Sequence, residues 1–227
     1  MKFYFNKYIT SIAHRGYSGK FKGNRHRAIK KAYKKNFDMI EIDIQACKSG
    51  ELILHHDLFI KNKLIKDLKL QEIKKMDKTI LTFKEFITQF PYEVRGLYLD
   101  LKGGIETAFN LFTFIKTWDI NIKRMIAFSF NFNHLDLLKK KIPELKRGLI
   151  TDNIPNEYIM KYINENVEYV SLHYSALEKS LIKKLRQMDK IIYTYTLNNH
   201  KECEYIKNFD IDGIVSNYKI IKSSYYS

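Results

Sequence analysis

Short apolar stretches and amphipathic stretches alternate along this 227-residue chain, and this order constrains its fold more than any other feature. The apolar stretches have the length of β-strands, and apolar residues at helical spacing follow most of them. Repeated strand–helix order requires parallel strand pairing with right-handed crossovers. About eight such units in a chain of this length predict an α/β fold, a compact (β/α)8 TIM barrel with only short insertions, formed by a single domain over residues 1–227.

Nine strands are predicted, which is one more than the barrel needs, and the sequence does not show which one is additional. They cover residues 8–13, 39–45, 52–55, 97–101, 125–129, 147–150, 169–172, 191–197 and 213–215. The predicted helices cover residues 27–35, 83–89, 106–118, 133–141, 156–165, 180–188 and 201–208. No linker rich in Gly, Pro or Ser divides the chain, which favours one domain.

The formal net charge of +15 is spread over most of the predicted helices, as is typical of solvated helix faces. We therefore expect no nucleic-acid partner, although the charge would attract anionic substrates or a lipid surface, so peripheral membrane contact stays open. The apolar runs are far shorter than the roughly 18–20 residues that span a bilayer, and no signal peptide is evident. Cys47 and Cys203 lie far apart, which suits the reducing cytoplasm.

Two carboxylates share one face of the predicted strand that contains Glu41, Ile42 and Asp43. Alternation along a strand places Glu41 and Asp43 on one side and Ile42 on the other. Two carboxylates this close on a buried element repel each other and lose hydration. A bound cation would remove both penalties, so the pair indicates a metal site.

Polar residues also occur at the ends of other predicted strands, where buried parallel strands should be apolar. Each one alone is more often structural: a single histidine is usually hydrogen-bonded, and an Asp-x-Lys strand end is usually a surface ion pair. Together they predict a site at the carboxyl ends of the barrel strands, where barrel enzymes hold their active sites. The strand-end residues are His14, Arg15, Glu41, Asp43, His56, Asp100, Lys102, Ser129 and Asn198.

These residues resemble the glycerophosphodiester phosphodiesterase family. The resemblance covers about residues 9–218, and its motifs occur in the family's order. They are His14-Arg15-Gly16, Glu41-Ile42-Asp43-Ile44-Gln45, His56-Asp57, Leu81-Thr82-Phe83-Lys84-Glu85, Ser129-Phe130, Tyr195-Thr196-Leu197-Asn198 and Asp212-Gly213-Ile214-Val215-Ser216.

The resemblance implies a metal-dependent hydrolysis of glycerophosphodiesters to sn-glycerol 3-phosphate and an alcohol such as choline or ethanolamine. One divalent cation, Ca²⁺ or Mg²⁺, would be held by Glu41, Asp43 and Asp100, and carboxylate ligands suit such hard ions. The nucleophile would be a water or the neighbouring glycerol hydroxyl.

The remaining site residues take their roles from the same resemblance. His14 and His56 would act as general base and general acid, in an order that the sequence leaves open. Arg15 and Lys102 would bind the phosphoryl group, and Asn198 would bind a glycerol hydroxyl. Of the adjacent histidines 55 and 56, the family spacing favours His56.

Two departures from the family pattern leave other functions open. The stretch Lys22-Gly23-Asn24-Arg25 stands where the family has Pro-Glu-Asn-Thr, and Asp100 stands where it has a glutamate. Phospholipase D-like barrel proteins that act on lysophospholipids or sphingolipids share both departures, so this activity is one alternative. A catalytically silent barrel that binds phosphate esters or a partner protein is another.

Overall fold

Eight parallel strands form the centre of the molecule in a computed structural model, which describes residues 8–219 and the backbone of residues 2–3 and 221–222. The prediction of a (β/α)8 barrel is confirmed. We label the barrel strands β1 Thr10–Ala13, β2 Met39–Ala46, β3 Gly96–Leu101, β4 Met125–Ser129, β5 Lys146–Thr151, β6 Tyr169–His173, β7 Ile191–Tyr195 and β8 Gly213–Ser216.

The barrel closes because its last strand pairs with its first. Gly213 of β8 lies opposite Thr10 of β1, and Ile12 of β1 lies opposite Met39 of β2. Every pair of neighbouring barrel strands is parallel. All eight carboxyl ends therefore open at one face of the molecule.

Helices cover the outside of the barrel and lie close to their predicted positions. Thr82 and Glu85 form a capping box that begins one of them: the Thr82 hydroxyl accepts from the Glu85 N–H, and the Glu85 carboxylate accepts from the Thr82 N–H. The helices are α1 His26–Lys34, α2 Leu70–Met76, α3 Phe83–Gln89, α4 Glu106–Thr117, α5 Phe132–Lys141, α6 Glu157–Asn166, α7 Lys179–Gln187 and α8 His200–Ile206. Of these, α2 was not predicted from the sequence.

The additional strand is Leu52–Leu54, which pairs antiparallel with the end of β2 and stays outside the barrel. The expectation that His56 ends a barrel strand is therefore wrong. His56 instead belongs to the connection between β2 and β3, residues 47–95, which also contains α2, α3 and a short hairpin. An apolar run predicts a strand, but the sheet that the strand joins depends on contacts distant in sequence.

The connection 47–95 has an apolar core of its own, in which Ile53 and Ile73 are completely buried. Other apolar residues of the same segment, among them Leu54 and Phe83, pack into the main core. Burial on both sides fixes the segment against the barrel. Within the described part of the chain, no helix is both long and apolar enough to cross a membrane.

Aromatic rings fill the inside of the barrel below its open face. The ring of Tyr98 stacks on that of Phe128 with centroids 3.6 Å apart. Gly148 makes room for this stack, because a Cβ there would come within 2.1 Å of the Phe128 ring. Tyr98 and Asp100 point to the same side of β3, so the apolar interior ends where the acidic residues begin.

Candidate active site

Three carboxylates lie side by side at the open end of the barrel. Strand pairing in register places Asp43 of β2 opposite Asp100 of β3, with Glu41 one inward-facing position below Asp43. The exposed fractions of Glu41, Asp43 and Asp100 are 3%, 1% and 8%. One oxygen atom of each lies within 4.8 Å of those of the other two. The sequence prediction of a carboxylate cluster thus corresponds to one compact group in space.

These carboxylates carry an electrostatic cost that a cation would relieve. Burial, with repulsion from Asp43 and Asp100, raises the pKa of Glu41 well above its usual value. Burial is also the main reason that the pKa of Asp100 is raised to about 7, with Asp43 adding to the effect. The Oδ1 atom of Asp100 is buried and accepts no hydrogen bond from any described residue. An unsatisfied oxygen among three oxygen donors fits a hard divalent cation.

Two basic side chains border the cluster. Lys102 Nζ lies 2.7 Å from Asp100 Oδ2 and 3.6 Å from Asp43 Oδ1, and Arg15 Nε lies 3.2 Å from Asp43 Oδ2. Burial lowers the pKa of Lys102, but attraction to Asp100 and Asp43 outweighs it and leaves that pKa raised. Both side chains therefore stay positively charged beside the carboxylates, where an anionic phosphate can reach them.

The position of Arg15 depends on an unusual backbone turn and on Gly23. Arg15 has a φ of +53°, and its N–H donates to the Glu41 carboxylate. Its side chain lies so close to Gly23 that a Cβ there would be 2.8 Å from the Arg15 Cβ. Gly23 therefore leaves the space that the Arg15 side chain occupies. Asn24 keeps its place and donates to Asp43 Oδ2 at 2.6 Å.

His14 is held by a residue from the far end of the chain. Its Nδ1 lies 2.6 Å from Asn217 Oδ1, which also accepts from the Ser18 hydroxyl. An amide oxygen can only accept, so His14 Nδ1 carries the proton and Nε2 has a free lone pair. Burial and the nearby Arg15 charge lower the pKa of His14 to about 4, which keeps its ring neutral at pH 7.

His56 is held by its own neighbour and by the barrel. Its Nδ1 lies 2.8 Å from Asp57 Oδ1, and this hydrogen bond lowers the pKa of Asp57. The backbone on both sides is fixed by Gln45 of β2, whose Nε2 donates to the carbonyl oxygens of His55 and Asp57 at 2.8 and 2.9 Å. The alternation of Glu41, Asp43 and Gln45 thus connects the carboxylate cluster to His56.

Two cavities meet at these residues, and His14, Arg15 and His56 border both of them. The strand-walled cavity has a volume of about 260 Å³; its further lining residues are Glu41, Tyr98, Asp100, Lys102, Phe130, Ile150, Asp152, Tyr195, Thr196 and Val215. The loop-walled cavity has a volume of about 390 Å³; its further lining residues are Ser18, Phe21, Lys22, Gly23, Asn24, Arg25, His55, Asp57 and Asn217.

Comparison with known proteins agrees with this geometry. The model of the glycerophosphoryl diester phosphodiesterase family matches residues 14–219. The chain belongs to this family. A glycerophosphodiester phosphodiesterase of Caldanaerobacter subterraneus is 29% identical, and the match covers 90% of this chain and 92% of that protein. This family member is therefore a phosphoric diester hydrolase, and the family is generally metal-dependent.

Solved structures of similar proteins share the fold of this phosphodiesterase. An Oleispira antarctica phosphodiesterase, solved in complex with the product sn-glycerol-3-phosphate, superposes with a TM-score of 0.84 at 22% identity, covering 93% of this chain and 94% of that one. A glycerophosphodiester phosphodiesterase of Thermotoga maritima gives a TM-score of 0.81 at 24% identity, covering 93% and 96%. Both likenesses support the barrel as the common framework.

Asn198 is not among the residues that line either cavity of this phosphodiesterase. Its Oδ1 accepts from the backbone N–H of Asn217 at 3.3 Å, so its observed contact supports the residue that holds His14. Ser129 is turned away from the barrel interior towards the helix layer, where its hydroxyl is 2.9 Å from Nδ1 of His134 in α5. The structure thus places both of these strand-end residues behind the site.

Several site residues of the phosphodiesterase were missed from the sequence. Asp152 and Asn217 each directly follow a barrel strand, β5 and β8, so their position after an apolar run was the available signal. The rings of Phe130 and Tyr195 face each other at a centroid distance of 6.4 Å across the strand-walled cavity. Single aromatic residues near strand ends carry no pattern that separates them from core residues.

Proposed function

We propose that this enzyme hydrolyses glycerophosphodiesters to sn-glycerol 3-phosphate and an alcohol, with the aid of one divalent cation and two histidines. The observation that carries the proposal is the cluster of Glu41, Asp43 and Asp100, two of which, Glu41 and Asp100, line the strand-walled cavity together with the two histidines. The product bound to the related Oleispira protein supports the same substrate class.

Glu41, Asp43 and Asp100 would hold the cation, and Ca²⁺ or Mg²⁺ suits an all-carboxylate donor set. When bound, it would polarise a phosphate oxygen and offset developing negative charge. Arg15 and Lys102 add fixed positive charge at the same place. Asp100 is one methylene shorter than the glutamate of the family pattern, and the Lys102 ammonium group lies beside it.

His14 is the better candidate for the general base. Its Nδ1 proton is committed to Asn217, and its lowered pKa leaves Nε2 unprotonated at neutral pH. Nε2 can therefore accept the proton of the attacking oxygen, which belongs to water or to the neighbouring glycerol hydroxyl. The new phosphorus–oxygen bond forms as that proton is transferred.

His56 is the better candidate for the general acid. Its Nδ1 donates to the Asp57 carboxylate, so Nε2 is the ring nitrogen that is left to exchange a proton with the substrate. Nε2 can then give its proton to the oxygen of the departing alcohol as the phosphorus–oxygen bond breaks. The departing oxygen leaves as a neutral hydroxyl, and the two histidines have exchanged protonation states. Attack by water gives glycerol 3-phosphate directly, whereas attack by the glycerol hydroxyl gives a cyclic phosphodiester that water must then open.

Purified protein should release sn-glycerol 3-phosphate from glycerophosphocholine or glycerophosphoethanolamine in a coupled assay with Ca²⁺ or Mg²⁺. A chelator should reduce the rate at least about a hundredfold, because several kcal/mol of charge stabilisation would be lost. Returning the cation in excess should restore the rate. Absence of glycerol 3-phosphate from every diester, with both cations supplied, would refute the proposed function.

Cation affinity should fall by about tenfold between pH 8 and pH 6. The pKa of Asp100 in the cation-free protein is about 7, so a proton competes with the cation for this carboxylate as the pH falls through 7. Calorimetric titration at both pH values, in two buffers of different ionisation enthalpy, would also measure the protons released. Equal affinity at pH 6 and pH 8, without proton release, would contradict the expectation.

The phospholipase D-like alternative has less support. A lysophospholipid chain needs a long apolar groove. The loop-walled cavity is lined mainly by polar and charged residues, and the strand-walled cavity, which has more apolar side chains, has a volume of only about 260 Å³. A cytoplasmic location and a single domain over the whole chain stay predictions from the sequence.

A further inference from the structure

The two cavities offer separate places for the two alcohol groups of a phosphodiester. The phosphate is central in such a substrate, and His14, Arg15 and His56 are shared by both cavities. With the phosphate beside these residues, one alcohol group extends into each cavity. The chemistry of each wall then determines which alcohol it accepts.

The strand-walled cavity suits the glycerol group that every substrate has in common. It is the smaller of the two, and Tyr98, Ile150 and Val215 of three different barrel strands give it rigid walls. Asp152 supplies a carboxylate that can accept from hydroxyl groups, and Tyr195 already donates to it at 2.5 Å. A small and rigid space with largely apolar walls and a few polar groups is appropriate for a small and invariant diol.

The loop-walled cavity then receives the variable alcohol, and its lining is positively charged. Arg15, Lys22 and Arg25 contribute three positive charges, against one negative charge from Asp57. Asp77, outside the lining, accepts from both Lys22 and Arg25 at 2.9 Å. Arg15 also pairs with Asp43, at 3.2 Å, but the charge of Asp43 belongs to the carboxylate cluster, which a bound cation would offset. With Asp77 included, three positive charges then face two negative charges. Because the Lys22 side chain is 67% exposed, its ammonium group can exchange Asp77 for a bound anion.

The same cavity lacks what a quaternary ammonium group needs. Such groups are recognised by several aromatic faces or by an unpaired carboxylate. Among the described lining residues, Phe21 is the one phenyl or phenol ring, and the one carboxylate, Asp57, is already hydrogen-bonded to His56. Choline would therefore enter a cationic space without compensating contacts.

We propose that the loop-walled cavity binds the departing alcohol and selects anionic alcohols, those that carry a second phosphate group, over choline and ethanolamine. The inference rests on the proposed function and extends it to the class of headgroup. At a few ångströms and near-surface screening, a single charge interaction of this kind changes relative rates by about tenfold or more. Salt should weaken the preference, since the cavity is open to solvent.

The test compares three glycerophosphodiesters whose alcohols carry different charges. Glycerophosphoglycerol is the neutral reference, its derivative with a phosphate on the terminal glycerol is the anionic substrate, and glycerophosphocholine is the cationic one. We expect kcat/KM to fall in the order anionic, neutral, cationic, with at least about a tenfold difference between the extremes at low ionic strength.

Lys22→Glu should reduce the ratio of anionic to cationic kcat/KM by at least about tenfold. Lys30→Glu is the matched control, because Lys30 is exposed on the outer helix α1 and the same charge change there should leave the ratio as it is. Equal or better cleavage of the choline substrate, or equal ratios in the two variants, would overturn the inference while the proposed function stands. Failure of the unaltered enzyme to cleave any of the three diesters would overturn the proposed function and this inference with it.

Discussion

Glu41→Gln should abolish turnover and at the same time make the cation-free protein more stable. Glu41 is buried beside two other carboxylates, and its pKa is raised well above the usual value by burial and by their charges. The ionised form therefore costs folding energy, and glutamine removes the charge while its side-chain oxygen can still accept from the Arg15 N–H. We expect a gain of roughly 1–2 kcal/mol in the free energy of unfolding without cation.

The sign of the effect follows from the direction of the pKa shift. A carboxyl group whose folded-state pKa is raised loses stability once the pH exceeds its unfolded value, so the advantage of glutamine should grow above about pH 4.5. Turnover should fall roughly a thousandfold, because the loss of one ligand weakens cation binding and the charge stabilisation that it provides.

Thermal unfolding and turnover, each measured with a chelator and with Ca²⁺ or Mg²⁺, would test both halves of this prediction. Glu144→Gln is the control, because Glu144 is exposed and should change neither quantity. The cation should raise the unfolding temperature of the unaltered protein much more than that of Glu41→Gln. A cation-free variant less stable than the unaltered protein, or one with full activity, would contradict the role given to Glu41.

Alanine variants of the two histidines should differ in how their rates depend on the leaving group. His56→Ala should lose about 10²–10⁴-fold in kcat on an ordinary glycerophosphodiester, because an alkoxide then leaves without a proton. A glycerophosphodiester of p-nitrophenol needs no such proton, so His56→Ala should recover most of its activity there. His14→Ala should stay slow on both substrates, because activation of the nucleophile is still missing.

Steady-state rates of both variants on both substrates would measure this difference. His200→Ala serves as the control, since His200 begins the outer helix α8 and should alter neither rate. If His14→Ala, and not His56→Ala, recovered activity on the p-nitrophenol diester, His14 would be the acid and His56 the base. Equal losses on both substrates for both variants would remove the acid role from His56.

The strand–helix order was sufficient to predict the barrel, and the strand-end polar residues were sufficient to predict that its carboxylates and basic side chains lie together at the open end. Parallel strands share one open end, so the amino-acid sequence alone was enough to expect Glu41, Asp43 and Asp100 close together. Alternation placed Gln45 on the same face, although nothing in the sequence indicated that it would bond to the backbone on both sides of His56.

What the sequence left open depends on contacts between distant residues. Leu52–Leu54 is an apolar strand, but its antiparallel pairing with β2 is determined by tertiary contacts. The contact of Asn217 with His14 spans 203 positions and follows from the closure of the barrel. The predicted strand over residues 191–197 ends at Tyr195, so Asn198 lies in the loop after β7, where its side chain accepts from the backbone N–H of Asn217.

The segment 47–95 has a consequence for how this enzyme can fail. The proposed cation site and the proposed acid lie on different parts of the molecule. The three carboxylates belong to barrel strands, whereas His56 belongs to the segment 47–95, which has an apolar core of its own. This segment is held against the barrel by Gln45, by pairing of Leu52–Leu54 with β2 and by apolar residues that reach the main core. If the segment 47–95 opened partially while the barrel stayed folded, His56 would leave the site, and the carboxylates, Arg15 and Lys102 would stay in place. Such a molecule would bind its substrate without cleaving it. Protein damaged in this segment would therefore compete with intact enzyme for the substrate.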